Sequence, residues 1–179
     1  GHFYGEIWGL DVHPREQKAC TGGDDRTVRV WNLETRCCEK RTTLNSYVRA
    51  LAYSPSGHQI ACGTGGRLKG KFCGSQGDVV ILDAATLRPL RTIKQSNRWI
   101  QVLKYSPDNT TLAVGTHDNR IYLYDVDDEY KSKAVLVRHN AHITHLDWTE
   151  DSCFLRSVCG AQELLFWDVR RQKHMPGGA

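Results

Sequence analysis

The chain has 179 residues, 40% of them hydrophobic, and 24 basic against 20 acidic side chains give it a formal charge of +4. That apolar share is enough for a packed core and excludes a disordered chain, while the basic excess is too mild to demand nucleic acid. No apolar run approaches the length of a membrane span, and neither a secretory leader nor a membrane partner is expected.

Gly1-His2 opens in mid-pattern without an initiator Met, so the chain is read as a piece of something longer. Strands are expected over 7–12 and 18–21, with the turn His13-Pro14 between them. The stretch Thr21-Gly22-Gly23-Asp24-Asp25-Arg26-Thr27-Val28-Arg29-Val30-Trp31 then reads as a strand end, a tight turn and a second strand. Gly and Asp in the turn tolerate left-handed backbone and hydrogen-bond their own main chain. From Thr27 the pattern alternates, with Val28 and Val30 on one face and Thr27, Arg29 and Trp31 on the other. An outer strand near 37–42 completes the unit.

A lone hairpin is marginal in water, so the unit needs copies of itself. The chain supplies them. Ala52-Tyr53-Ser54-Pro55-Ser56-Gly57 matches Lys104-Tyr105-Ser106-Pro107-Asp108-Asn109 at an offset of 52. The hairpin-ending positions Trp31, Leu82, Tyr124 and Trp167 stand 51, 42 and 43 residues apart. A period of about 40–45 residues, with four strands per unit and a terminal Trp-Asp, marks a WD-repeat propeller blade. The expected fold is therefore all-β, a WD-repeat β-propeller. The chain is read as one partial propeller over 1–179, with blades at about 1–43, 44–94, 95–138 and 139–179. Four blades of a larger propeller are not expected to close alone. They would leave apolar flanks for the rest of their own propeller to cover.

WD-repeat proteins, which these units resemble, carry a buried hydrogen-bonded chain of four side chains. These are a His before the first strand, a Ser or Thr on the second, an Asp in the turn and the Trp of the third. Blade one has His2, Thr21, Asp25 and Trp31 at matching spacing. Buried polar groups must satisfy one another, which accounts for the residue types without invoking a nucleophile and base.

Blade two is expected to place strands over 48–53, 59–63, 79–83 and 89–93. An extended tip, 65–78, carries Gly at five positions and Arg67, Lys69 and Lys71 on every second residue, the candidate contacts for an acidic partner. Gly65, Gly70 and Lys71 fit G-x-x-x-x-G-K, but Phe72 stands where Ser or Thr would meet magnesium, and a strand rather than a helix should follow. No nucleotide site is expected.

Blade three reads as strands over 100–105, 111–115, 121–125 and 134–138, with an exposed acidic loop at Asp127, Asp128 and Glu129. Asp118 keeps the turn position and Tyr124 replaces the Trp. Val114 takes the place of the hydroxyl, so the polar chain should break and Tyr124 should find another partner. Blade four keeps His139, Ser157 and Trp167, with Ala161 in the Asp position, on strands over 143–148, 154–157 and 164–168. His139, His142 and His145 have metal-like spacing, but residues three apart on a strand face opposite ways. The basic tail from Arg170 supplies an outer strand or a linker. Seven cysteines form no CxxC pair, and Cys20, Cys62 and Cys159 suit the buried reduced thiols of an intracellular protein.

Two segments resemble one family in particular. Glu6-Ile7-Trp8-Gly9-Leu10 with His13-Pro14 leads into Asp24-Asp25-Arg26-Thr27-Val28-Arg29-Val30-Trp31. Later, Ile143-Thr144-His145-Leu146-Asp147-Trp148 precedes Gly160-Ala161-Gln162-Glu163-Leu164-Leu165-Phe166-Trp167-Asp168. Both are similar to the echinoderm microtubule-associated protein-like family, and the similarity spans nearly the whole chain. It implies tandem atypical propellers, binding to tubulin, microtubules or axonemal proteins, and a place on the cytoskeleton of the cytoplasm or in the axoneme of a cilium.

The resulting expectation is a non-catalytic interaction scaffold whose basic loops meet acidic protein surfaces. The alternative is a generic adaptor in a ubiquitin ligase or transport complex, since the same fold serves both. A propeller enzyme would need convergent acidic, His or metal-binding residues, which the motifs do not supply. No catalytic residue, cofactor or metal is expected.

Overall fold

Short alternating segments punctuated by Gly, Asp and Asn turns form strands throughout, and every regular element among the described residues is a strand. The computed structural model describes residues 1–68, 70–72, 74, 76–94 and 98–176, with only the backbone of Leu68 and Phe72. The chain forms two compact units, Gly1–Ile100 and Gln101–Ala179. The expected four-stranded antiparallel blades are borne out, with four such sheets among the described residues.

In the first unit β1 (Ile7–Val12), β2 (Lys18–Gly23), β3 (Thr27–Asn32) and β4 (Cys38–Thr43) form one meander. The second meander is β5 (Val48–Tyr53), β6 (Gln59–Thr64), β9 (Asp78–Asp83) and β10 (Pro89–Lys94). A two-stranded hairpin, β7 (Arg67–Leu68) with β8 (Lys71–Phe72), projects between β6 and β9. Strand β5 is buried along its whole length because the first sheet lies against it. Gly9 and Gly22 permit that approach. A Cβ on them would come within 2.9 Å of Leu51 Cγ and 2.5 Å of Val48 Cγ1. Cys20, Val28 and Val30 meet Val48, Leu51 and Ile60 in the resulting core. Each large side chain taken from water there contributes about 1.5–3 kcal/mol. The Tyr53 N–H also donates to Asp11 Oδ2 at 2.7 Å. On the opposite face of β1, Leu10 and Val12 remain 67% and 55% exposed, an apolar flank.

The second unit holds β11 (Ile100–Tyr105) from Gln101 onward, β12 (Thr111–Thr116), β13 (Arg120–Asp125) and β14 (Lys131–Val137). Its other sheet is β15 (Ile143–Trp148), β16 (Phe154–Cys159), β17 (Leu164–Asp168) and β18 (Lys173–Met175). Ala113, Ile121 and Leu123 pack on Ile143, Leu146 and Leu155 in its core.

Two details depart from the sequence reading, and one decides between its alternatives. First, β14 starts at Lys131 rather than at residue 134. Asp125 Oδ1 accepts the Asp127 and Asp128 N–H groups in a tight turn, and Tyr130 drops inward to bond Tyr105 through their hydroxyls at 2.8 Å. Second, the basic tail does pair as a strand, with His174 opposite Trp167. Third, the left-handed residue of the central turn is Arg26 (φ 62°), as Asn119 and Gln162 are in blades three and four, and not the neighbouring Gly or Asp. Gly23 serves close approach instead, since a Cβ there would lie 2.3 Å from Glu6 O.

Candidate functional site

Blade one brings all four polar-chain residues together. His2 Nδ1–H donates to Asp25 Oδ2 at 2.8 Å, and Thr21 Oγ1 lies 2.8 Å from His2 Nε2. Trp31 Nε1–H donates to the same Thr21 oxygen at 2.7 Å. Because the Asp25 carboxylate can only accept, His2 carries a proton on Nδ1. Asp25 also accepts from the Thr27 N–H and hydroxyl at 3.0 and 2.8 Å and from Arg29 Nη2 at 3.2 Å. Burial by itself raises the Asp25 carboxyl, but the bonds from His2 and Thr27 together outweigh it and hold its pKa below the usual range.

In blade three Asp118 turns to different partners. It accepts from the Thr116 hydroxyl and from Tyr122 OH, the latter at 2.6 Å. Tyr124, expected to find a partner, has none for its buried hydroxyl among the described residues. The reason lies at Val114, fully buried where blade one has the Thr21 hydroxyl. Burial also pushes the Tyr124 phenol up.

Blade four rebuilds the acidic corner from another position. His139 Nε2 lies 2.7 Å from Ser157 Oγ, which accepts Trp167 Nε1–H at 2.7 Å. Ala161 offers no carboxylate, yet Glu163 Oε2 stands 3.5 Å from His139 Nδ1. Glu163 occupies the place, four residues before the Trp, that Thr27 holds in blade one, where the hydroxyl lies 3.3 Å from His2 Nδ1. A longer side chain at that position reaches the same ring. The Glu163 carboxylate accepts the Asn140 N–H at 3.0 Å, the Asn140 side-chain amide, and Cys159 Sγ–H at 3.2 Å. Those bonds, the Asn140 backbone first, lower its pKa to about 2. Burial lowers that of His139. Of the two other histidines, His142 stacks on His117 at 4.3 Å between ring centroids, and His145 is exposed on β15, so the three do not converge.

The tip of blade two is set on a buried ion pair. Arg49 Nη1 lies 2.8 Å from Asp24 Oδ1, with the two side chains 7% and 2% exposed. Arg49 Nε–H and Nη2–H also donate to Gly65 O and Arg67 O at 3.0 and 3.2 Å, and its guanidinium stands 4.7 Å over the Trp8 ring. Gly66 (φ 92°) leaves room for it, since a Cβ would come within 2.6 Å of Arg49 Nε. Arg67 and Lys71 are exposed. The chain reverses between them, with Arg67 opposite Phe72 and Leu68 opposite Lys71, so the two basic residues fall on opposite faces of the hairpin. Of the three candidate contacts, Lys69 lies outside the described residues. A cleft of about 290 Å³ in the same unit is lined by His13, Arg15, Lys18, Lys40 and His58, with Glu16 and Asp83.

Sequence reasoning passed over Glu163, Asp24 and Arg49. The first was detectable from its offset to Trp167, and Arg49 as a lone charge inside Val48-Arg49-Ala50-Leu51-Ala52. Asp24 carried no distinguishing signal beside Asp25.

Residues 7–178 match the family model for the echinoderm microtubule-associated protein second beta-propeller. The ciliary WD repeat-containing protein ctxp80 of Euplotoides octocarinatus is 37% identical over 195 residues, 99% of this chain and 26% of that protein. Echinoderm microtubule-associated protein-like 2 of Mus musculus is 35% identical, over 91% of this chain and 24% of its own length. Echinoderm microtubule-associated protein-like 3 of Homo sapiens is 33% identical, over 92% and 18%. The chain thus spans about a quarter or less of the length of these relatives.

Proposed function

We propose that this chain, which belongs to the echinoderm microtubule-associated protein family through its second β-propeller, is a non-catalytic scaffold segment that binds microtubules or axonemal proteins. The observation that carries the reading is the family match across residues 7–178, together with relatives whose names are microtubule-associated and ciliary. The site of action would be the cytoskeleton of the cytoplasm or a cilium. The binding mechanism is shape plus electrostatics. Exposed Arg67 and Lys71 at the tip, and the cleft with Arg15, Lys18 and Lys40, would meet acidic tubulin segments. The polar chain of blade one serves the blade rather than catalysis, because His2, Thr21, Asp25 and Trp31 are spent on one another. The apolar flank at Leu10 and Val12 is the face that a further blade of the same propeller would cover, as Leu51 covers the other.

Co-sedimentation with microtubules at rising ionic strength tests the proposal. Pelleting at low salt should decline as screening grows, and Arg67→Glu with Lys71→Glu should weaken it several-fold. A folded chain that stays in the supernatant at low salt sinks the reading. A pull-down returning a ligase or transport complex without tubulin would favour the adaptor role instead.

A further inference from the structure

We propose that His139, Cys159 and Glu163 form a binding site for a zinc ion, independent of the scaffold role. The imidazole, thiol and carboxylate ligand atoms all lie within 4.8 Å of one another. Cys159 Sγ is 3.2 Å and His139 Nδ1 3.5 Å from Glu163 Oε2. With bonds of about 2.3 Å to sulfur and about 2.0–2.2 Å to nitrogen or oxygen, ligands around a tetrahedral zinc stand roughly 3.3–3.7 Å apart. Two of the three separations already have nearly that spacing, with Cys159 at the end of β16 and His139 and Glu163 in the connections before β15 and β17.

The histidine gives the second, independent sign. Its side chain is 1% exposed, and Nδ1 has no hydrogen-bond partner among the described residues. Nε2 lies 2.7 Å from Ser157 Oγ, and a ring protonated there would turn the Nδ1 lone pair toward the thiol and the carboxylate. In blade one the same atom is taken by Asp25 at 2.8 Å, and Gly23 and Thr27 stand where blade four has Cys159 and Glu163. That blade is closed to a metal. Blade four lost its Asp to Ala161 and carries two ligating side chains at neighbouring positions.

One imidazole, one thiolate and one carboxylate form a borderline-soft donor set that suits zinc over magnesium or calcium. Asn140, bonding the carboxylate through its N–H and amide, supplies the outer support that orients a ligand. On binding, the Cys159 thiol proton leaves to solvent, and the S–H···O bond gives way to zinc–sulfur and zinc–oxygen bonds. The imidazole keeps its Nε2 proton, nothing is oxidised or reduced, and water takes the fourth position.

Calorimetric titration of zinc chloride into the chain with Cys37, Cys38, Cys73 and Cys153 changed to serine tests this, since loose thiol binding is then removed. One equivalent should bind with a micromolar or tighter Kd. Cys159→Ser should weaken it about 100-fold and Asn140→Ala about 10-fold. Cobalt in place of zinc should give a thiolate charge-transfer band that Cys159→Ser abolishes. If Cys159→Ser fails to fold, the nitrogen resonance of His139 Nδ1 in the parent chain must still move on adding zinc. No binding by the folded parent, unchanged affinity in Cys159→Ser, or an unmoved Nδ1 resonance would overturn the site.

Discussion

Asp25→Ala removes the acceptor at the centre of the blade-one polar chain. His2, with a side chain 4% exposed, then keeps an Nδ1–H with only the Thr27 hydroxyl, 3.3 Å away, to receive it. Arg29, 7% exposed, loses its carboxylate. Thr27 is only half-buried, so water can serve its two donors. A buried donor left unsatisfied costs about 1–3 kcal/mol, more when charged, so two such groups allow several kcal/mol. The vacated corner was 12% exposed with the carboxylate in place, and water entering it brings the expected loss down to about 2–3 kcal/mol. Urea unfolding should register that loss, with a fall in Tm of roughly 4–12 °C. Asp25→Asn, which keeps one acceptor, should lose about 1 kcal/mol less. The decisive measurement is the cycle with His2→Ala, where a coupling of about 1 kcal/mol or more is expected. An unchanged Tm, or losses that simply add, would refute the assignment of Asp25 to this chain of bonds.

Asp25 and Glu163 both ionise more readily folded than unfolded, Glu163 with a pKa of about 2. The folded chain therefore binds fewer protons, and their contribution is whole above the unfolded values of about 3.9 and 4.3 and lost as pH falls toward 2. Unfolding free energies measured between about pH 6 and 2.5 should decline with a slope that Glu163→Gln reduces; an identical slope in that variant contradicts this. Tyr124→Phe deletes a buried hydroxyl that bonds nothing among the described residues, and should be neutral or stabilising by up to about 1 kcal/mol. A loss of that size in thermal unfolding would show that the hydroxyl is used. Arg49→Met strands the buried Asp24 carboxylate and unties Gly65 O and Arg67 O. It should cost about 3–5 kcal/mol and quicken proteolysis at the tip. A loss under about 1 kcal/mol would mean that the pair is dispensable.

The blade pattern was legible in the chain because strand periodicity and turn chemistry are local. Alternation from Thr27 to Trp31, the repeated Tyr-Ser-Pro turns and the recurring aromatic end positions need no distant neighbour to be recognised. His2, Thr21, Asp25 and Trp31 could be picked out together because the blade sets their spacing. What the tertiary structure alone decided were the contacts between residues whose separation no motif specifies. Arg49 reaches Asp24 across two sheets, and the reversal at Leu68–Lys71 parts two basic residues that alternate in sequence. Glu163 approaches His139 only when the hairpin brings β17 beside β16. Local rules state which side chains share a face. Packing, which must bring buried charges to opposite charges and buried donors to acceptors, chooses the partner.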